Sequence, residues 1–108
     1  MEKLLKLKGN VCIFQGEELG LPESNVEFKD LQDPFGKNFW PDFKGRDGCR
    51  IPMPWKSKSK NFGFSKSKPW LPIDKRYENL CVDVQENDPA STLNFTKAQI
   101  ALRKKQVA

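Results

Sequence analysis

Three signals in chain order predict an α/β segment: a short apolar run with strand chemistry, a long loop crowded with aromatic residues, and a C-terminal helix with a clear start. Together they describe one βα unit with an enlarged loop. The chain has 108 residues, among them eight prolines and seven glycines.

Leu4, Leu5 and Leu7 stand among lysines and read as the last turns of an amphipathic helix ended by Gly9, over residues 1–9. Val11, Cys12, Ile13 and Phe14 form a continuous apolar run. That is expected of a strand covered on both faces, as in a parallel sheet, here residues 10–15. The run leads at once into Gln15-Gly16-Glu17-Glu18, the handover of a barrel strand to a loop at its C-terminal end. Such a strand needs neighbours on both edges to pair its backbone groups. Residues 16–87 show little periodicity, with turns and a short helix near residues 26–32. Loops of that length are either functional or disordered. The aromatics from Phe28 to Trp70 argue for a loop pinned against something. Asp88 suits an N-cap and Pro89 the first helical position, so a helix is expected over residues 88–106. Leu93, Ile100, Ala101 and Leu102 give it an imperfect apolar stripe, and Arg103, Lys104 and Lys105 suit its C-terminal end. A (β/α)8 TIM barrel uses units of this order at its active-site face.

The composition predicts a piece that packs against a larger body. Only 37% of residues are hydrophobic, and mean hydropathy is -0.70. Backbone ordering costs roughly 1–2 kcal/mol per residue, so stable independent folding is not expected.

The net charge is +5, and much of the excess lies in Lys56, Lys58, Lys60, Lys66 and Lys68, alternating with serine near Trp55, Phe62, Phe64 and Trp70. A basic nucleic-acid-binding protein is one reading of that pattern. A solvated lysine-rich loop is the favoured one, because no arginine joins the run to offer a forked donor. No nucleic acid is therefore expected as partner.

Cys12, Cys49 and Cys81 are widely spaced, and the chain has no histidine. That argues against a structural zinc site and a disulfide scaffold, and the lack of histidine removes any Ser-His or Cys-His nucleophile. Buried, reduced thiols in a cytoplasmic protein are expected, with no metal and no cofactor. Residues 1–8 contain neither a signal peptide nor a membrane span.

The most informative stretch is Gly45-Arg46-Asp47-Gly48-Cys49-Arg50, followed by Ile51-Pro52-Met53-Pro54-Trp55. Two arginines four apart flank an aspartate between glycines. Residue chemistry leaves two readings open: an internal brace, or a polar clamp in which guanidinium forks grip hydroxyls and aromatic faces stack on sugar rings.

The run from Val11 to Leu21 resembles the eighth-strand segment of glycoside hydrolase family 13 α-glucosidases. Leu31-Gln32-Asp33-Pro34-Phe35-Gly36, then the run from Phe39 to Arg50, look like the loop that follows it. Asn61-Phe62-Gly63-Phe64, Pro69-Trp70-Leu71-Pro72, Val82-Asp83-Val84-Gln85 and Asp88-Pro89-Ala90-Ser91 continue in the same order. The resemblance implies retaining hydrolysis of terminal α-linked glucose from α-glucosides and malto-oligosaccharides by two carboxylates about 5–5.5 Å apart. It places those two, and a third carboxylate that supports the distorted sugar ring, at the ends of the fourth, fifth and seventh strands. No catalytic residue is then expected here, and the chain alone should be inactive. It further implies that Arg46 binds substrate, gripping hydroxyls of the innermost glucose. Asp47, Arg50, Phe39, Trp40 and Phe43 are further candidates for that role, and Gln15, Glu17 and Glu18 support the site. The remaining partner is the rest of the barrel. The alternative from another class is a non-catalytic piece that completes a barrel supplied by another chain.

Two departures from the family pattern stand out. Ile51 stands where threonine is usual, and Thr96 and Gln99 stand at aromatic positions of the last helix.

Overall fold

The computed structural model describes residues 2–107, with four α-helices: α1 (Glu2–Leu5), α2 (Pro34–Phe39), α3 (Val82–Glu86) and α4 (Thr92–Val107). Tight 3₁₀ turns at Glu17–Leu19, Phe28–Asp30, Asp47–Cys49, Lys60–Gly63 and Lys75–Leu80 punctuate the loops between them.

The strand expected over residues 10–15 does not form, and no strand is present among the described residues. The cause is edge pairing. No second strand lies beside residues 11–14, so their donors and acceptors have no ladder to join. Cys12 and Phe14 are exposed in consequence, Phe14 at 72%.

Two apolar clusters hold the long loop. Val26, Leu31, Ile51, Leu71 and Tyr77 form one, with Trp40, Phe62 and Leu80 packed against it. Leu19, Met53 and Leu93 form the other, and Leu21 touches both. Ile51 thus fills the core where a threonine hydroxyl would need a partner. Lys56, Lys58, Lys60, Lys66 and Lys68 are all exposed on the outer loop. That loop turns through left-handed Asn61 and Phe62, with φ of 53° and 51°. The N–H groups of Trp55 and Lys56 both reach the Phe62 carbonyl at 2.8 Å and pin the turn.

Gln85 on α3 ties three segments together. Its amide nitrogen donates to the Leu19 and Leu80 carbonyls, both at 2.9 Å, and its oxygen accepts the Leu93 N–H at 2.9 Å. The last helix begins at Thr92, four residues after the expected cap. Asp88 instead closes a turn onto the Ala90 N–H, and Ser91 Oγ accepts the Asn94 N–H at the helix start. On α4 only Leu93 and Thr96 are buried on the face toward Glu17–Leu19, while Ala101 and Leu102 of the expected stripe are exposed. The Arg103 guanidinium holds the N-terminal segment through the Leu5 and Leu7 carbonyls, at 2.8 and 2.7 Å, and that of Gly9.

Of the cysteines, Cys81 alone is buried; Cys12 and Cys49 are exposed, unlike the buried thiols expected. No described helix is long and apolar enough to cross a membrane.

The molecule is open. Its radius of gyration is 16.1 Å, against about 13 Å for a compact chain of this length. Phe14, Phe28, Phe35, Phe39, Phe43, Trp55, Phe64, Trp70 and Phe95 all present apolar surface to solvent.

Candidate functional site

A cleft of about 860 Å³ opens between the turn after residues 11–14 and the 46–53 loop. Gln15 and Glu17 line one side, Arg46 and Arg50 the other, over a floor that includes Leu21, Ile51, Met53 and Tyr77. An apolar floor with convergent polar groups is the usual character of a small-molecule site.

Glycines shape the first wall. Gly16 takes φ +97° and Gly20 φ +67°, so the chain can turn twice around Glu17–Leu19. The Glu17 carboxylate accepts the Phe14 N–H at 3.3 Å, and that of Glu18 accepts the Gly16 N–H at 2.9 Å. Both glutamates therefore brace their own turn. Glu18 lies outside the cleft lining.

The opposite wall is built on two aspartates. Asp47 is fully buried, and its Oδ2 accepts the N–H groups of Gln32 and Asp33 at 2.6 and 2.8 Å. A group with no exposed surface cannot touch a ligand, so of its two roles the brace is the one the structure holds. Asp33 caps α2 through the Phe35 N–H at 3.0 Å and accepts the Arg46 N–H at 2.8 Å. The Arg46 N–H, followed by those of Phe35 and the charges of Arg50 and Arg46, holds the Asp33 carboxyl below its ordinary range, against the opposing effect of burial.

The two arginines differ. Arg50 pairs with Asp33 Oδ2 at 3.8 Å. The Arg46 side chain is exposed at the cleft and, among the described residues, its guanidinium makes no hydrogen bond or ion pair. Its fork is free for a ligand.

The aromatic candidates do not line this cleft. Phe39 stacks on Phe35, ring centroids 6.4 Å apart, and Trp40 packs on Phe28 at 5.5 Å with the Lys44 ammonium 5.4 Å from its ring centre. Phe43 is exposed beyond them.

A family model for the alpha-amylase catalytic domain matches residues 1–108. The chain belongs to this family. It is 54% identical over 101 residues to a probable alpha-glucosidase of Rhizobium meliloti, covering 94% of this chain and 18% of that protein. It is 36% identical to probable oligo-1,6-glucosidase 2 of Bacillus subtilis, covering 91% of the chain and 20% of the relative. Among solved structures, the alpha-glucosyl transfer enzyme XgtA superposes at a TM-score of 0.91 with 50% identity, over 96% of this chain and 19% of the enzyme. The trehalulose synthase MutB does so at 0.84 with 29% identity, over 96% and 22%. The chain spans about a fifth of the length of the relatives it matches.

Within this alpha-amylase family segment, Asp33 is the site residue that sequence reading passes over. Asp33-Pro34 signals a helix cap, and the structure confirms that signal. Its grip on Arg46, thirteen residues away, has no local signature.

Proposed function

We propose that the chain supplies the glucose-recognition wall of a retaining α-glucosidase built on a (β/α)8 barrel, with Arg46 as the sugar-binding residue and the catalytic carboxylates on earlier strands. The observation that carries this reading is the contrast between the two arginines. Arg50 is paired with Asp33 through one nitrogen at 3.8 Å, whereas Arg46 offers an unpaired fork to the cleft of about 860 Å³. The 54% identity to a probable alpha-glucosidase supports the substrate class. The rest of the barrel is the partner on this reading, and the exposed aromatics are the surface that meets it.

The chain alone should release no nitrophenol from para-nitrophenyl α-glucoside. Mixed with the part of the Rhizobium meliloti relative that precedes its match, it should form an active complex. Arg46→Ala should lower kcat/KM in that complex by about 10- to 100-fold, the loss of charge-assisted hydrogen bonds worth about 1.5–3 kcal/mol. Turnover by the pure chain, or an inactive complex that has assembled, would overturn the reading.

A second reading is transfer of glucose to an acceptor other than water. The 50% identity to an alpha-glucosyl transfer enzyme favours it. Products formed by the complex with and without an added sugar alcohol distinguish transfer from hydrolysis.

A further inference from the structure

The two oxygens of Asp33 do different work. Oδ1 accepts the Phe35 N–H at 3.0 Å and starts α2, while Oδ2 accepts the Arg46 N–H at 2.8 Å and lies 3.8 Å from the Arg50 guanidinium, a longer and half-exposed contact. The Asp33 main chain is itself fixed, because its N–H donates to the buried Asp47 at 2.8 Å. Asp47 follows Arg46 directly, so the chain is tied to Asp33 at the Arg46 N–H and again at the side chain of the next residue.

The backbone around it is shaped for this closure. A Cβ at Gly45 would lie 2.7 Å from Asp33 Oδ2, and Gly45 takes φ +74°. A Cβ at Gly36 would lie 2.3 Å from the Lys44 carbonyl oxygen. Any larger residue at either place would push the start of α2 away from the recognition loop. Asp33 is 9% exposed and outside the cleft lining, so it meets no ligand.

We propose that Asp33 is the positioning residue for the sugar-binding arginine: its Oδ2 fixes the Arg46 main chain, and so the point from which the guanidinium fork reaches the sugar. This rests on the α-glucosidase reading above. Misplacement of a positioned group by about 1 Å can cost roughly 100-fold in rate, and a backbone anchor acts at the root of the side chain.

Asparagine separates the two tasks. Its single carbonyl oxygen can still cap Phe35, but its amide then meets the Arg46 N–H donor with another donor. In the active complex, Asp33→Asn should lower kcat/KM by about tenfold or more. In an Arg46→Ala background the same substitution should cost almost nothing further, because the group it positions is gone. Lys37→Gly, which weakens α2 without touching Asp33 Oδ2, should leave kcat/KM near the wild-type value. Wild-type activity in Asp33→Asn overturns the proposal alone. So does an equal loss from Asp33→Asn with and without the Arg46 side chain, or a loss from Lys37→Gly that matches it, since either would mean a general structural role. A wild-type complex that assembles without activity overturns the α-glucosidase reading and this proposal together.

Discussion

The Asp47 carboxylate accepts the backbone N–H of Asp33 at 2.8 Å from a position with no solvent exposure. Its other oxygen, Oδ1, is buried with no hydrogen-bond partner among the described residues. The two oxygens therefore respond differently to substitution. Asp47→Ala leaves the buried Asp33 donor and the part-buried Gln32 donor unpaired and should cost about 2 kcal/mol. Asp47→Asn keeps one oxygen for both donors and puts its amide where no partner exists, so it should cost nearer 1 kcal/mol. Hydrogen exchange of the Gln32 and Asp33 amides in the complex measures both, and an equal effect of Ala and Asn would show that the shared acceptor is not the cause.

Asp33 gives the recognition loop an acid limit. The Arg46 N–H first, then that of Phe35 and the nearby arginine charges, lower its pKa from the ordinary 3.8. A lowered native pKa means that the stabilising contribution is present above about 3.8 and is lost as pH falls through the native value. The Arg46 amide should stay protected from exchange at mild acid pH and lose protection only below the ordinary aspartate range. Asp33→Asn should remove that step, with Arg46 less protected at every pH. A step that survives in Asp33→Asn would assign it to another group.

Exposed aromatics govern the behaviour of the isolated chain. Phe14, Phe35 and Trp70 are each more than half exposed, at 72%, 63% and 65%, and removing apolar surface of this kind from water favours association. The chain by itself should self-associate and bind an apolar dye strongly. Adding the preceding barrel segment should reduce the dye signal while light scattering reports one defined complex. A monodisperse monomer with little dye binding would show that these rings do not await a partner.

Local chemistry made much of this molecule legible in advance, and pairing between distant segments made the rest invisible. The turn glycines Gly16 and Gly45, the Arg46–Arg50 stretch and the basic C-terminal helix are signalled by residue type and spacing. The apolar run over residues 10–15 predicts a strand, yet a strand is a property of pairs, and no partner strand lies beside it among the described residues. Helix α4 starts at Thr92 because Ser91 and Asn94 find the Gln85 carbonyl, a contact that no reading of Asp88-Pro89 contains. Phe39 and Trp40 look alike in the sequence as cleft walls, but α2 turns them onto Phe35 and Phe28.

Tyr77 sets an alkaline limit that can be read directly, because it is the chain's one tyrosine. Its hydroxyl donates to the Pro22 carbonyl, tying the Lys75–Leu80 turn to the loop beyond Leu21. Burial first, then the Asp74 charge, pushes its pKa up from 10.0 to about 12. A raised native pKa reverses the sign worked out for Asp33: the contribution is complete below pH 10 and is lost as pH rises through about 12. Cys81 adds to the same trend, since burial raises its thiol from 9.0 to about 11. Phenolate absorbance of the complex should therefore titrate well above the free tyrosine value and return to it in denaturant. Tyr77→Phe should cost about 1 kcal/mol at neutral pH through the lost hydrogen bond and should flatten the alkaline fall in stability. An unshifted phenolate titration in the folded complex would place Tyr77 in solvent and remove the tie to Pro22.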